Sequence, residues 1–286
     1  MKMAFRITAV QMVVVAFYLV AVAAGCSSNK PLKTITRKGG LKTGEERSSD
    51  QKEKTPNGYV LRYLGVIKTT FDVDGETVKY TDEEIENIER IFTKLFPSYM
   101  EEITDGRVIL ENEVVVSDSP IKKWNSNLEF IGPTDVDDWK KQANGFDIVY
   151  LFSPRRQKAI YALGSGFTET ENNGKVGWIS IGSITGKPKS LLERPLPGFA
   201  HESLHILGEA YFRNTRNLDK IPGVHDGEAR GYSVDTDGMN YWNAWYRDYF
   251  NGEILKDGEK WGLGERAWKL SPPREYFSPE NNLTAK

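Results

Sequence analysis

Two histidines and a glutamate in one short segment have the types and spacing that metal-assisted hydrolysis requires. The segment reads His201-Glu202-Ser203-Leu204-His205, an HExxH motif. On a helix, residues four apart lie on the same face, so the two imidazoles can converge on one ion. Neutral imidazole is a good zinc ligand, and Glu202, offset around the helix, can hold a water beside the ion and take its proton. The motif therefore predicts a catalytic Zn²⁺ centre.

The third zinc ligand must come from elsewhere in the chain, because a catalytic ion takes three protein ligands and keeps its fourth position open. The chain has three histidines, and the remaining one, His225, lies 20 residues beyond His205. Glycines flank His225 and allow tight turns there, so we expect it to complete the site. Three nearby carboxylates are competing candidates: Glu209, Asp226 and Glu228.

The stretch from His201 to Gly208 resembles the HExxHxxG signature of the metzincin zinc proteases. In that family the glycine turns the chain, and a third histidine follows three positions later, where this sequence has Tyr211. Leishmanolysin-like members carry an insertion at this point, and a similar insertion would give His225 the role of third ligand. The resemblance covers roughly residues 59–250.

A methionine turn beneath the metal is a further feature of that family, and residues 237–241 (DGMNY) are similar to it. The resemblance implies that Met239 is a hydrophobic floor and that Tyr241 could assist the transition state. It also implies a zinc-dependent endopeptidase of mixed α/β (α+β) class. Such a protein has a twisted mixed sheet, an active-site helix, a smaller mostly helical C-terminal lobe, and an edge strand that holds an extended peptide substrate by β-augmentation.

Two other functional interpretations of the motif remain open. Glutamate-ligated zinc proteases, the gluzincins, place the third ligand on a second helix about 20 residues beyond HExxH. Glu228 lies 23 residues after His205, but the segment around it is glycine-rich and a poor helix. The second alternative is not an enzyme: it is a non-catalytic surface lipoprotein binding module, such as an adhesin or a carbohydrate binder.

The body of the chain shows hydrophobic periodicities that predict an α/β order of elements. Thr81 and Glu84 form a capping box at the start of one helix, and Pro97 is expected to end it. The predicted elements are a strand at 59–71, a helix at 81–96, a strand at 107–116, a central strand at 146–152, a loop at 164–177, an exposed edge strand at 177–184 and a helix at 195–207.

The N-terminus has the layout of a secretory signal, with Lys2 and Arg6 ahead of an apolar run at 12–24. Small residues precede the single cysteine, Cys26, and this arrangement resembles the lipobox of bacterial lipoproteins. In that family the signal, here residues 1–25, is cleaved and the cysteine carries the lipid. An uncleaved membrane anchor is the alternative. Both place the body outside the cytoplasm, in the bacterial cell envelope.

The predicted domains follow from a change in composition near residue 58. Residues 26–58 contain no aromatic residue and few large aliphatics, which predicts a flexible linker after the lipidated cysteine. Residues 59–286 form the predicted catalytic domain, and the resemblance divides it into an N-lobe, 59–208, and a C-lobe, 209–286.

The composition of the 286-residue chain argues against some classes of partner and of stabilising site. The formal net charge is −2, which gives no reason to expect nucleic acid. A single cysteine excludes an internal disulfide framework and a thiolate zinc cluster. We expect a monomer that meets a protein or peptide substrate and is held at the membrane by its N-terminal lipid.

Overall fold

The computed structural model describes residues 36–37, 58–124, 130–154, 162–182, 195–232 and 239–284. These residues belong to one compact unit, Lys33–Lys286. The predicted signal peptide, Cys26 and most of the predicted linker lie outside the described residues. Within those ranges, no helix is long and apolar enough to cross a membrane.

A mostly parallel β-sheet lies at the centre of the fold, so the mixed α/β class is confirmed. Its strands are β1 (Thr36–Arg37), β2 (Tyr59–Lys68), β5 (Val108–Ser117), β6 (Ile148–Phe152), β7 (Ala162–Glu169) and β8 (Lys175–Ile181). The spatial order is β1-β5-β2-β6-β8-β7. The four strands between β1 and β7 run parallel, and these two edge strands are antiparallel to their neighbours.

Both faces of the sheet are buried, and alternate residues of one strand enter two separate apolar clusters. In β6, Tyr150 belongs to the larger cluster and Leu151 to the smaller one, and every residue of the strand is buried. The predicted central strand is therefore confirmed. The larger cluster contains residues from Tyr59 to Phe277, on both sides of the predicted lobe boundary.

The edge of the sheet differs from the prediction. The predicted loop at 164–177 is wrong, because β7 and the start of β8 together occupy most of it, and β7 forms the edge. The strand predicted at 177–184 is present as β8, but its predicted position at the edge is wrong, because β8 lies between β6 and β7. Small residues in β8 mark close packing rather than exposure to solvent. A Cβ at Gly177 would lie 2.4 Å from Cγ2 of Ile206 on the motif helix.

The first helical stretch begins at the predicted capping box and runs past Pro97. Its parts are α1 (Asp82–Arg90), a π-helical segment π1 (Ile91–Leu95) and α2 (Phe96–Ile103). The expectation that Pro97 ends the helix is wrong. In π1 the hydrogen bonds shift to i→i−5, and Pro97 falls in the first turn of α2, where a missing N–H is tolerated.

The remaining helices and hairpins complete the fold around the sheet. They are β3 (Thr70–Val73), β4 (Glu76–Lys79), α3 (Pro195–Leu204), π2 (His205–Thr215), a 3₁₀ turn (Glu228–Arg230), α4 (Met239–Asn251), β9 (Ile254–Lys256), β10 (Glu259–Trp261), α5 (Gly264–Trp268), α6 (Pro273–Tyr276) and α7 (Pro279–Thr284). Helices cover one face of the sheet. The other face is covered by irregular chain, where Trp139 packs on Trp178 with ring centroids 4.8 Å apart.

A buried lysine joins the ends of two neighbouring parallel strands. Lys68 ends β2, and its side chain is 2% exposed. Its Nζ donates to Oγ of Ser117, the last residue of β5, at 2.9 Å, and to Asp138 Oδ1 at 2.9 Å. Burial lowers the pKa of Lys68, and the Asp138 carboxylate opposes that shift. The carboxylate therefore compensates a charge that the core would otherwise disfavour.

We expect Asp138→Asn to lower the free energy of unfolding by about 3 kcal/mol, because the lysine charge then lies buried without its counter-charge. Urea denaturation at neutral pH measures the change. Asp118→Asn is the matched control, since this exposed carboxylate accepts a hydrogen bond from Thr69 at 3.2 Å and acts on Lys68 through its charge, less strongly than Asp138. Its cost should stay below about 1 kcal/mol. Equal costs for the two variants would contradict the role given to Asp138.

Candidate metal centre

The HExxH motif lies on a long helix whose buried face packs against the sheet. The predicted helix at 195–207 is present as α3 and continues through π2 to Thr215. Leu204 and Ile206 are fully buried, whereas His201 and His205 are only partly buried on another face. Hydrophobic packing thus fixes the helix and leaves both imidazoles available for a ligand.

Three histidines converge at this face. One ring nitrogen from each of His201, His205 and His225 lies within 4.8 Å of the others, and these three could hold a metal ion. The centroid of the His225 ring is 4.8 Å from that of His201 and 5.0 Å from that of His205. A loop residue far along the chain thereby joins the two residues of the motif.

The separations fit a tetrahedral ion. His201 Nε2 and His205 Nε2 are 3.2 Å apart. Two nitrogens bound at 2.0–2.1 Å to one tetrahedral zinc ion lie about 3.3–3.4 Å apart. Since the group spans at most 4.8 Å, binding requires His225 to approach by no more than about 1.5 Å. Rotation of an exposed side chain can supply a movement of this size.

Each histidine of the motif is held through its outer nitrogen. His201 Nδ1 lies 2.8 Å from the hydroxyl of Tyr246, and His205 Nδ1 lies 2.7 Å from Glu209 Oε2. Burial alone would raise the pKa of Glu209, but the hydrogen bond with His205 and nearby positive charge hold it below its ordinary value. An ionised carboxylate only accepts, so Nδ1 of His205 carries the proton and Nε2 presents its lone pair.

His201 is a neutral ring at physiological pH. Burial, followed by the neighbouring His205 and His225, lowers the pKa of His201 to about 3. Only the neutral form can bind a cation through nitrogen, so this environment prepares the side chain as a ligand.

The loop that carries His225 is fixed by contacts with two helices. Val224 is fully buried; its carbonyl accepts from Trp245 Nε1 at 2.7 Å and its N–H donates to Glu209 Oε1 at 3.1 Å. The Pro222 carbonyl accepts from the Tyr249 hydroxyl at 2.7 Å. The position of His225 thus rests on protein contacts made without an ion.

The three rival carboxylates are directed elsewhere. Glu209 contacts the outer nitrogen of His205, on the side of the ring away from Nε2. Asp226 accepts from the backbone N–H of Gly223 at 2.8 Å, within its own loop. Glu228 is exposed in the 3₁₀ turn and does not belong to the group of possible ligands found among the described residues.

Gly208 has a packing role instead of the turn that the resemblance implies. The helix does not end there, because π2 continues to Thr215 and buries Tyr211. A Cβ at Gly208 would lie 2.6 Å from the hydroxyl of Tyr249. The glycine therefore allows α4 to approach the motif helix closely enough to hold the His225 loop.

Several other residues around the site were predicted or missed by the sequence analysis. Met239 and Tyr241 lie at the start of α4 by backbone, but their side chains lie outside the described residues, so their roles stay predictions. Tyr246 and Trp245 were not predicted as partners of the site, and both are buried. The aromatic run at 241–246 indicates packing, but it does not show which carbonyl or ring these two side chains would meet.

The glutamate of the motif is nearly enclosed. Glu202 is 7% exposed and follows His201 by one position, about 100° around the helix.

Comparison of the chain with protein-family models, with curated proteins and with solved structures gives no match. We therefore infer function from the chemistry of this site.

The low pKa of His201 predicts how acid affects the metal-free protein. An unfolded histidine titrates near pH 6.5, and the folded one near 3. Between these values the unfolded chain binds the extra proton, so stability is intact above pH 6.5 and falls as pH drops toward 3. From pH 7 to pH 5 the loss attributable to this ring is about 2 kcal/mol.

Urea denaturation of the metal-free wild type and of His201→Gln at the two pH values isolates that contribution. Glutamine does not titrate, so we expect the variant to lose less stability on acidification than the wild type. An identical pH dependence in the two proteins would contradict a buried, neutral His201.

Proposed function

We propose that the chain is a membrane-anchored, extracytoplasmic zinc-dependent endopeptidase that hydrolyses peptide bonds of proteins or glycoproteins. The observation that carries the proposal is the convergence of three ring nitrogens, two of them 3.2 Å apart with their outer nitrogens engaged by other side chains. This donor set, all imidazole and partly open to solvent, matches a catalytic zinc site rather than a closed structural one.

The chemistry follows from the residues around that point. His201, His205 and His225 would hold the zinc ion, which supplies a Lewis acid for the scissile carbonyl and lowers the pKa of a bound water. Glu202 would take the proton of the attacking water and deliver it to the leaving amine nitrogen. Its burial supports this role, since packing of α3, rather than free rotation, sets where the carboxylate lies.

An extended peptide is the substrate that the sheet favours. Among the described strands, β7 pairs only with β8, which leaves its other side as the edge of the sheet. β7 also packs against both α3 and π2, the elements that carry the motif. A peptide added to β7 by backbone hydrogen bonds would therefore run along a strand that packs on the elements carrying the motif. The metzincin-like, two-lobed architecture belongs to the same proposal.

The N-terminal sequence supports a surface location. The signal-like residues 1–25, the cysteine at 26 and the polar segment up to residue 58 together suit a lipid-anchored enzyme held away from the bilayer. Thr36–Arg37, inside the predicted linker, pair with β5, so the proposed flexible tether is the stretch of about ten residues between Cys26 and this strand, which spans roughly 17 Å. We place the substrate outside the cytoplasm for this reason.

Glu202→Gln separates catalysis from metal binding. We expect cleavage of a labelled unfolded protein to fall about 10²–10⁴-fold, because the general base is lost. Zinc content measured by mass spectrometry should not change, since Glu202 is not a ligand. A chelator should abolish wild-type activity and added zinc should restore it. Glu265→Gln, an exposed helical carboxylate paired with Lys269, is the matched control and should keep full activity.

A folded wild type that binds no zinc and cleaves nothing would contradict the proposal and favour the non-catalytic binding module. Cleavage that survives Glu202→Gln at the wild-type rate would contradict the catalytic role given to the motif.

The third ligand is tested by comparing His225→Ala with Glu228→Ala. We expect the histidine variant to lose more zinc affinity than the roughly 10–100-fold typical of losing an outer partner of a ligand. The glutamate variant should match the wild type, because Glu228 is exposed and lies outside the group of candidate ligands. Competition with a chromophoric chelator measures both affinities. Loss of affinity in Glu228→Ala alone would support the gluzincin alternative.

A further inference from the structure

We propose that Glu209 is a positioning residue that couples two zinc ligands on separate elements of the fold. Its carboxylate ties the ring of His205, on the motif helix, to the loop that carries His225. The inference rests on the proposed metal centre and adds to it a second, metal-independent link between the ligands.

The two oxygens of Glu209 divide between the two elements. Oε2 lies 2.7 Å from Nδ1 of His205, and Oε1 accepts from the backbone N–H of Val224 at 3.1 Å. Val224 immediately precedes His225. One side chain thus fixes the rotation of one ligand ring and the approach of the segment that presents another.

Other contacts of this loop come from a different helix. Trp245 and Tyr249, both on α4, donate to the carbonyls of Val224 and Pro222. These bonds fix the distance between the loop and α4. The bond from Glu209 instead ties the loop to π2, which begins at His205 itself. Because of this link, displacement of the loop and rotation of the ring are no longer independent.

The surroundings of Glu209 suit such a role. The side chain is 23% exposed, so its hydrogen bonds are shielded from bulk water on most sides. Arg213 approaches Oε1 to 3.4 Å from a more exposed position, with its own side chain 38% exposed. An exposed ion pair of this kind contributes little. The arginine therefore serves as a probe of charge near the carboxylate that leaves both positioning bonds intact.

Glu209→Gln breaks the link with almost no change in shape. An amide offers one accepting oxygen and an NH₂ that only donates, so it can serve Nδ1–H of His205 or the N–H of Val224 but not both. We expect the zinc affinity of the metal-free chain to fall about 10–100-fold, as measured by competition with a chromophoric chelator. Arg213→Gln is the matched control and should change affinity less than about threefold.

A double-mutant cycle with His225→Ala distinguishes coupling from a simple structural effect. Without the third ligand, holding its loop no longer aids the ion, so Glu209→Gln should then cost at least about fivefold less affinity than in the wild type. A residue that merely stabilised the helix would cost the same in both backgrounds. Should Glu209→Gln not fold, Glu209→Asp tests the same link, because the shorter side chain cannot span both donors.

The outcomes separate this inference from the proposed function. Wild-type affinity in Glu209→Gln, or equal losses in the two backgrounds, would overturn the coupling and leave the zinc site standing. A wild-type chain that fails to compete with the chelator at all would overturn the metal centre and, with it, the coupling.

Discussion

The approach of two ring nitrogens is the interaction on which the rest of the site depends. The Nε2 atoms of His201 and His205 face each other at 3.2 Å, a distance at which two lone pairs repel unless a proton or a cation lies between them. Glu209 keeps the proton of His205 on its outer nitrogen. The hydroxyl of Tyr246 can donate to Nδ1 of His201 or accept from it. Nε2 of His201 can therefore carry a proton when no metal is bound and present its lone pair when a metal ion is bound. In the metal-free and in the metal-bound site, both imidazoles, the Glu209 carboxylate and the Tyr246 hydroxyl therefore all have suitable partners.

The aromatic helix α4 supports this geometry from one side. Tyr246 contacts His201, while Trp245 and Tyr249 hold the loop that ends in His225. Its close approach is possible because Gly208 has no side chain to meet Tyr249. One helix thereby positions His201 and His225, two of the three possible metal ligands. The sheet supports the motif helix from beneath.

The sequence predicted all three histidines of the group, but only two of them from geometry. The convergence of His201 and His205 follows from helical spacing alone, whereas the position of His225 depends on contacts that no spacing reveals. The order of the sheet edge was wrong for a similar reason. The alternating pattern of residues 177–184 predicted an exposed edge, but Ile206 of the motif helix packs directly on Gly177 in β8. A small residue in the sequence indicates that little space is occupied at its position. Whether solvent or another element lies against it depends on tertiary packing.

A crystal structure of the chain grown with zinc, with diffraction data collected on both sides of the zinc absorption edge, tests the central claim most directly. The account predicts a strong anomalous peak about 2.0–2.1 Å from one nitrogen of each of the three histidines, with a further position open to solvent. A peak ligated by Glu228 in place of His225, or no peak between His201 and His205, would contradict it.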